Sequence, residues 1–172
     1  LHESQSRTIE NIIGRSLGFW QEHYPALQKT FPDLAEHGVE EFYRAINHVQ
    51  PSLIRVEADE LTYNFHIILR FELEQAMLSG ALAAKDLPEA WNAKMEDLLG
   101  IVPPNDAQGC LQDVHWSRPM FGYFPTYALG NLYGAQFYEA IQEQNPSAIE
   151  ALNAGKPEQY IEWLRENIHA IG

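Results

Sequence analysis

Three stretches of the sequence bring together residues that could do chemistry. The first is Gly109-Cys110-Leu111-Gln112-Asp113-Val114-His115-Trp116, with Gly122-Tyr123-Phe124-Pro125-Thr126-Tyr127 shortly after it. Gln112, Asp113 and His115 can form one hydrogen-bonded set in which the carboxylate orients the imidazole. Tyr123 and Tyr127 carry phenols that can donate to a developing oxyanion. The plainer alternative is a loop pinned by Trp116, its polar groups satisfied locally.

The second stretch is Ile54-Arg55-Val56-Glu57-Ala58-Asp59. Read as helix, it makes Arg55 and Asp59 i,i+4 neighbours, with Thr62 and His66 continuing nearly the same face. A polar line on a mostly apolar helix is costly unless paired, so it forms an internal network or the wall of a wet cavity. Arg55 presents a planar fork that matches the carboxylate of an acidic ligand. The alternative is a buried ion pair that holds helices in register. The third stretch is His2-Glu3-Ser4-Gln5-Ser6-Arg7, where Glu3 is either a metal ligand or a surface partner of Arg7. A catalytic zinc needs three protein ligands, and no His-Glu-x-x-His places two more on one helix face. His23, His37, His48 and His169 show no ligand spacing and read as solvated helix faces.

The elements that must position these groups are helical. Ile9, Ile12, Ile13, Leu17 and Trp20 recur at helical spacing from Glu3 to about Thr30, with Pro25 expected to kink or end that helix. Val39 to Val49 predicts a second helix. Pro51 fits the first turn of a third, running from Ser52 to Leu78 without Gly or Pro and apolar most of the way round, as in a central buried helix. Asp86 is a candidate N-cap for a fourth helix, which Gly100 stops. Thr126 to Gln144, Pro146 to Asn153 and Pro157 to Ile171 complete the set. Prolines and glycines mark the segment between Pro103 and Pro125 as a loop. The expectation is an all-α chain of about five to seven helices around the Gln-Asp-x-His-Trp loop, as one domain over residues 1–172.

The composition limits the partners. A formal charge of −13 argues against nucleic acid and anionic membranes, which need a basic face. No apolar run approaches the ~20 residues that span a bilayer. The one cysteine, Cys110, fits a reducing, cytoplasmic compartment. The chain starts at Leu1 with no polar tail, as though cut from something longer.

Taken together and in order, His2 to Gln5, Ile54 to Asp59 and Gly109 to Trp116 resemble the carboxypeptidase Taq family of thermostable metallocarboxypeptidases. In that family His-Glu-Ser-Gln, Ile-Arg-x-x-Ala-Asp and Gly-x-x-Gln-Asp-x-His-Trp follow a His-Glu-x-x-His motif in a helical, neurolysin-like zincin fold. The resemblance covers the whole chain, as the C-terminal part of a longer enzyme. It implies a carboxypeptidase that uses one divalent ion, zinc or cobalt, and acts on peptide C-termini as a homodimer. It implies that Glu3 is the third metal ligand and that Arg55 holds the substrate's terminal carboxylate. Asp59 accompanies Arg55, and Gln112, Asp113 and His115 line the cleft. Tyr123 or Tyr127 helps polarise the scissile carbonyl, and the resemblance does not choose between them. The His-Glu-x-x-His residues are missing, so the expectation for this chain alone is no activity and weak or absent metal binding. The rival reading is a helical interaction module that docks a partner through its acidic surface and the Phe121-to-Tyr138 segment. No paired Glu-x-x-His motif supports a cofactor bundle built on His66 and His115.

Overall fold

The computed structural model describes residues 2–171. Among them every regular element is a helix, and there is no strand. The backbone divides into two compact units, one made of Leu1–Asn47 with Gly130–Gly172, the other of His48–Leu129.

In the first unit, α1 (His2–Arg7) runs straight into a π-helical stretch, Thr8–Ile13. The single helix expected over residues 3–30 is broken there. Ser16 turns extended and its hydroxyl accepts from Phe19 N at 3.2 Å, capping a new helix, α2 (Leu17–Thr30). Trp20 Nε1 seals the break by donating to Gly14 O at 2.7 Å. Pro25 does not end α2, because Trp20 and Tyr24 pack on Phe42 of α3 (Val39–Ile46), with ring centroids 4.6 and 5.0 Å apart. A 3₁₀ turn, Pro32–Glu36, joins the two helices. The rest of this unit comprises most of α6 (Pro125–Gln144), with α7 (Pro146–Asn153), α8 (Glu158–Leu164) and a π-helical end, Arg165–His169. Ile13, Ile141, Ala148, Ile149, Leu152, Tyr160 and Leu164 form its core.

In the second unit, α4 is Glu60–Leu78 and α5 is Leu87–Leu99, which ends at Gly100 in the left-handed region. They pack through Leu69, Leu73, Trp91, Met95 and Leu99, joined by Cys110 from the loop. Asp86 stands at the N-cap position of α5, yet its side chain makes no capping bond, since a 3₁₀ turn (Ala84–Asp86) leads in instead. The helix expected to start at Ser52 starts eight residues later, at Glu60. Pro51 lies outside any helix, and Arg55–Glu57 is an isolated 3₁₀ turn. Nor is α4 buried all round. It buries Thr62, His66, Arg70 and Glu74, polar residues at four-residue spacing, together with Tyr63, Ile67, Leu69 and Leu73. Leu61, Phe65, Ile68 and Phe71 are exposed. The apolar pattern thus serves two faces, and a row of hydrophilic side chains points inward.

Candidate functional site

The site in the second unit begins with a helix cap. Asp59 Oδ1 accepts from the backbone N–H of Leu61 and of Thr62, both at 2.9 Å. Its Oδ2 accepts from Thr62 Oγ1 at 2.6 Å and from Gln50 N at 3.2 Å. Burial pushes this carboxyl up, but those hydrogen bonds, the Thr62 pair foremost, hold it below the usual aspartate range. Asp59 is therefore the N-cap of α4 rather than a helical partner of Arg55.

Arg55 is 6% exposed. Its Nε and Nη2 donate to Asp113 Oδ1 at 3.1 and 2.7 Å, and Nη1 donates to Tyr63 Oη at 2.8 Å. Its Cζ lies 4.9 Å from the Tyr127 ring centre, within cation–π range. Arg70, fully buried, donates from Nε to Asp113 Oδ2 at 2.6 Å and from Nη2 to Gln112 Oε1 at 2.8 Å. Gln112 Oε1 also accepts from Arg55 N at 2.9 Å, while its amide nitrogen holds Leu53 O, Gln108 O and Gly109 O. Arg70 Cζ sits 4.6 Å from the Trp91 ring centre. Two buried guanidinium groups thus share one carboxylate, and Gln112 stitches loop to helix.

The electrostatics follow from this sharing. Burial opposes the charge on Asp113, but hydrogen bonds and charge from Arg55 and Arg70 hold its carboxyl below the ordinary range. Burial likewise works against Arg55, yet Asp113 keeps it above its usual value. Arg70 has no solvent at all, so burial prevails and lowers it to about 10, still charged at neutral pH. His66, one turn before Arg70, is pulled down to about 4 by burial and by the two arginines, and is neutral.

The expected Asp113–His115 pair does not form. His115 Nδ1 lies 3.8 Å from Asp113 Oδ1, beyond hydrogen-bond reach. The arginines take both carboxylate oxygens, and the imidazole turns to Tyr127, with Nε2 3.2 Å from the phenol oxygen. Burial, the leading influence, lowers the His115 pKa. Tyr123 also flanks this ring, with centroids 5.6 Å apart, and stands 5.3 Å from Tyr127. The structure brings His115, Tyr123 and Tyr127 together with Arg55, Gln112 and Asp113. Sequence reading missed Arg70, Tyr63 and Glu74. The four-residue recurrence Thr62, His66, Arg70, Glu74 was the available signal, extending a line already noted at its first two members.

Glu3 belongs to the first unit. It is half-buried on α1, directly against α6. A Cβ on Gly130 would stand 3.1 Å from Glu3 Cβ and Cγ, so any larger residue would press on Glu3 at this close approach of the two helices. Arg7, the alternative surface partner, donates to Asn131 Oδ1 at 2.8 Å and pairs with Glu10 at 3.2 Å.

This arrangement has known counterparts among helical peptidases. Over 98% of its length the chain matches a solved structure of the Pyrococcus furiosus carboxypeptidase, with a TM-score of 0.92 and 50% identity, covering 34% of that chain. The profile of the family described as carboxypeptidase Taq (M32) metallopeptidase matches residues 1–172, and the chain belongs to that family. It is 49% identical over its full length to thermostable carboxypeptidase 1 of Thermus thermophilus and 47% identical to carboxypeptidase 1 of Bacillus subtilis. The chain spans about a third of each of these relatives, 34% of their length.

A metallopeptidase family implies a divalent metal ion. Glu3 fits one carboxylate ligand, a half-buried oxygen donor on a helix held firmly by its neighbour. Among the described residues no group of three or more His, Cys, Asp or Glu side chains could hold an ion.

Proposed function

We propose that this chain is the carboxylate-recognising part of a metal-dependent carboxypeptidase, in which Arg55 anchors the free C-terminus of a peptide. The observation that supports this is the buried pair of arginines on one carboxylate. Arg55 spends three of its five N–H groups on Asp113 and Tyr63, and two remain for a ligand. Asp113 and Gln112 hold the guanidinium in one orientation, so little is lost in ordering it when a carboxylate arrives. Asp59 acts by capping α4 and so by placing Arg55. His115, Tyr123 and Tyr127 line the place where the scissile carbonyl develops charge, the phenols as donors and the neutral imidazole as a proton carrier.

Glu3 is the ligand this chain contributes to a zinc or cobalt ion, which when bound supplies a Lewis acid and a water of lowered pKa. One carboxylate does not hold such an ion tightly, so the isolated chain is inactive and largely metal-free. The full-length enzyme is a cytoplasmic homodimer in this reading, which rests on the family resemblance and on the one cysteine in this third of it. The exposed Leu61, Phe65, Ile68 and Phe71 face fits a surface covered by the rest of the longer protein. No helix among the described residues is long and apolar enough to cross a membrane.

The test uses the full-length protein, assayed for release of the last residue from a peptide. Activity is expected to vanish with a chelator and to return with zinc or cobalt. Arg55→Ala should raise KM for a free carboxyl terminus by about 100-fold, and a C-terminally amidated peptide should not distinguish it from wild type. Glu3→Gln should weaken metal binding. An Arg55→Ala enzyme with unchanged KM would remove the assignment of the anchor. Metal-dependent release by the isolated chain would remove the assignment of inactivity.

A further inference from the structure

We propose that Glu74 is a positioning residue for Tyr123, an inference that rests on the carboxypeptidase reading above. Glu74 lies on the inward face of α4, one turn beyond Arg70, and is 2% exposed. Its two carboxylate oxygens hold two points of the aromatic loop. Oε2 accepts from Trp116 Nε1 at 2.9 Å, and Oε1 accepts from the backbone N–H of Gly122. The five residues between these anchors follow directly on His115 and Trp116 and lead the chain through Gly122 to Tyr123.

The geometry at the second anchor is specific. Gly122 has a φ of +83°, and a Cβ there would meet nothing within 4 Å. The glycine is thus needed for its backbone angle and not for space. That angle turns the chain so that Phe124 is buried, 4.3 Å from the His115 ring, while Tyr123 stays 37% exposed at the rim. Tyr123 O then accepts from Thr126 N at 3.0 Å and Thr126 Oγ1 at 2.7 Å as α6 begins. Trp116, the first anchor, stacks with Phe121 and meets Phe124 edge-on, so both ends of the span are packed as well as hydrogen-bonded. A carboxylate buried against an indole is not what core packing favours. Two donors aimed at its two oxygens give it a task, which is to fix where Tyr123 points relative to His115 and Tyr127.

A double-mutant cycle in the full-length enzyme tests this, with kcat and KM measured for wild type, Glu74→Gln, Tyr123→Phe and the double variant. Glu74→Gln keeps the size and one acceptor but turns an NH₂ toward the other donor. Each single change is expected to lower kcat by about 10- to 100-fold with KM within roughly threefold. The double variant should be no worse than Tyr123→Phe alone, a non-additivity that a merely structural role would not produce. Multiplicative losses, or normal kcat in Glu74→Gln beside an impaired Tyr123→Phe, overturn the inference and leave the carboxypeptidase reading intact. An inactive wild-type enzyme, or full kcat in Tyr123→Phe, overturns the reading of Tyr123 and the inference with it. If Glu74→Gln does not fold, Gly122→Ala takes its place, because it disturbs only the backbone angle. It should show the same kcat loss and the same non-additivity with Tyr123→Phe, and additive losses count against the inference.

Discussion

Both units of this chain have an apolar core, but they differ in the charged groups they bury beside it. The first, around Ile13, Ile141, Ala148, Ile149, Leu152 and Leu164, is a small apolar core whose members contribute bulk and little else. The second also buries two arginines (Arg55 and Arg70), Asp59, Glu74 and two histidines (His66 and His115). Hydrophobic burial suffices to make a scaffold. Charged groups buried at comparable depth gain little stability from it, and replacing such networks with apolar residues is often neutral or stabilising. The contrast teaches that stability alone does not account for the charges in the second unit, and the carboxylate anchor proposed above would give them a use.

That contrast can be broken by experiment. Asp113→Ala should have the largest effect, because it strands two buried guanidinium groups. Destabilisation of about 3–5 kcal/mol is expected, read by denaturant unfolding of the purified protein. Ile141→Ala in the apolar core comes next, at about 2–4 kcal/mol from lost transfer energy and a residual cavity. If Asp113→Ala proves the milder of the two, the distinction between the units is wrong.

The pH dependence sharpens the same comparison. An unfolded histidine takes its proton near pH 6.5, whereas His66 folded resists protonation down to about 4. Below about pH 6.5 the unfolded chain therefore binds more protons, and the stability contributed by neutral His66 is lost as the pH falls toward 4. The depressed Asp113 adds a second loss once the pH falls through the ordinary aspartate range, near about 4. Melting temperatures measured across this range should slope downward on acidification, and His66→Gln should flatten the upper part. His115, also lowered, leaves a residual slope there. An unchanged slope in His66→Gln would show that the histidine is not held neutral by burial and the arginines.

Smaller effects complete the series. Asp59→Ala should destabilise by about 1 kcal/mol through the lost cap, and should also raise KM because Arg55 shifts with it. Arg165→Ala, which removes an exposed pair with Glu162, should change the melting temperature by nothing measurable. A large effect at Arg165 would mean that surface charge matters in the first unit too.

Most of the helices, the stop at Gly100, the all-α class and the loop between Pro103 and Pro125 were legible in the sequence, because periodicity and turn chemistry are local. Gln112, Asp113, His115 and the two tyrosines were legible as one loop set and Arg55 as a separate group, and only the fold joined Arg55 to Gln112 and Asp113. The break at Gly14 and the late start of α4 were not legible. Each depends on a capping side chain, Ser16 or Asp59, winning over a sequence that could equally have continued as helix. Arg70 and Glu74 were read past for a similar reason. A charged residue in an apolar helix looks like its solvated face until something distant arrives to pair with it.

By itself, then, the sequence determined which segments are helical and which residue types gather in one loop. It also carried the ordered motifs of the carboxypeptidase Taq family. Tertiary structure alone decided that Asp113 serves the arginines and not His115, and that Glu74 reaches forward to Gly122. The physical reason is that a carboxylate has two oxygens and many potential donors within the sequence. Which donors claim it depends on where the folded chain places them, tens of residues apart, and on which pairing leaves the fewest buried charges unmet.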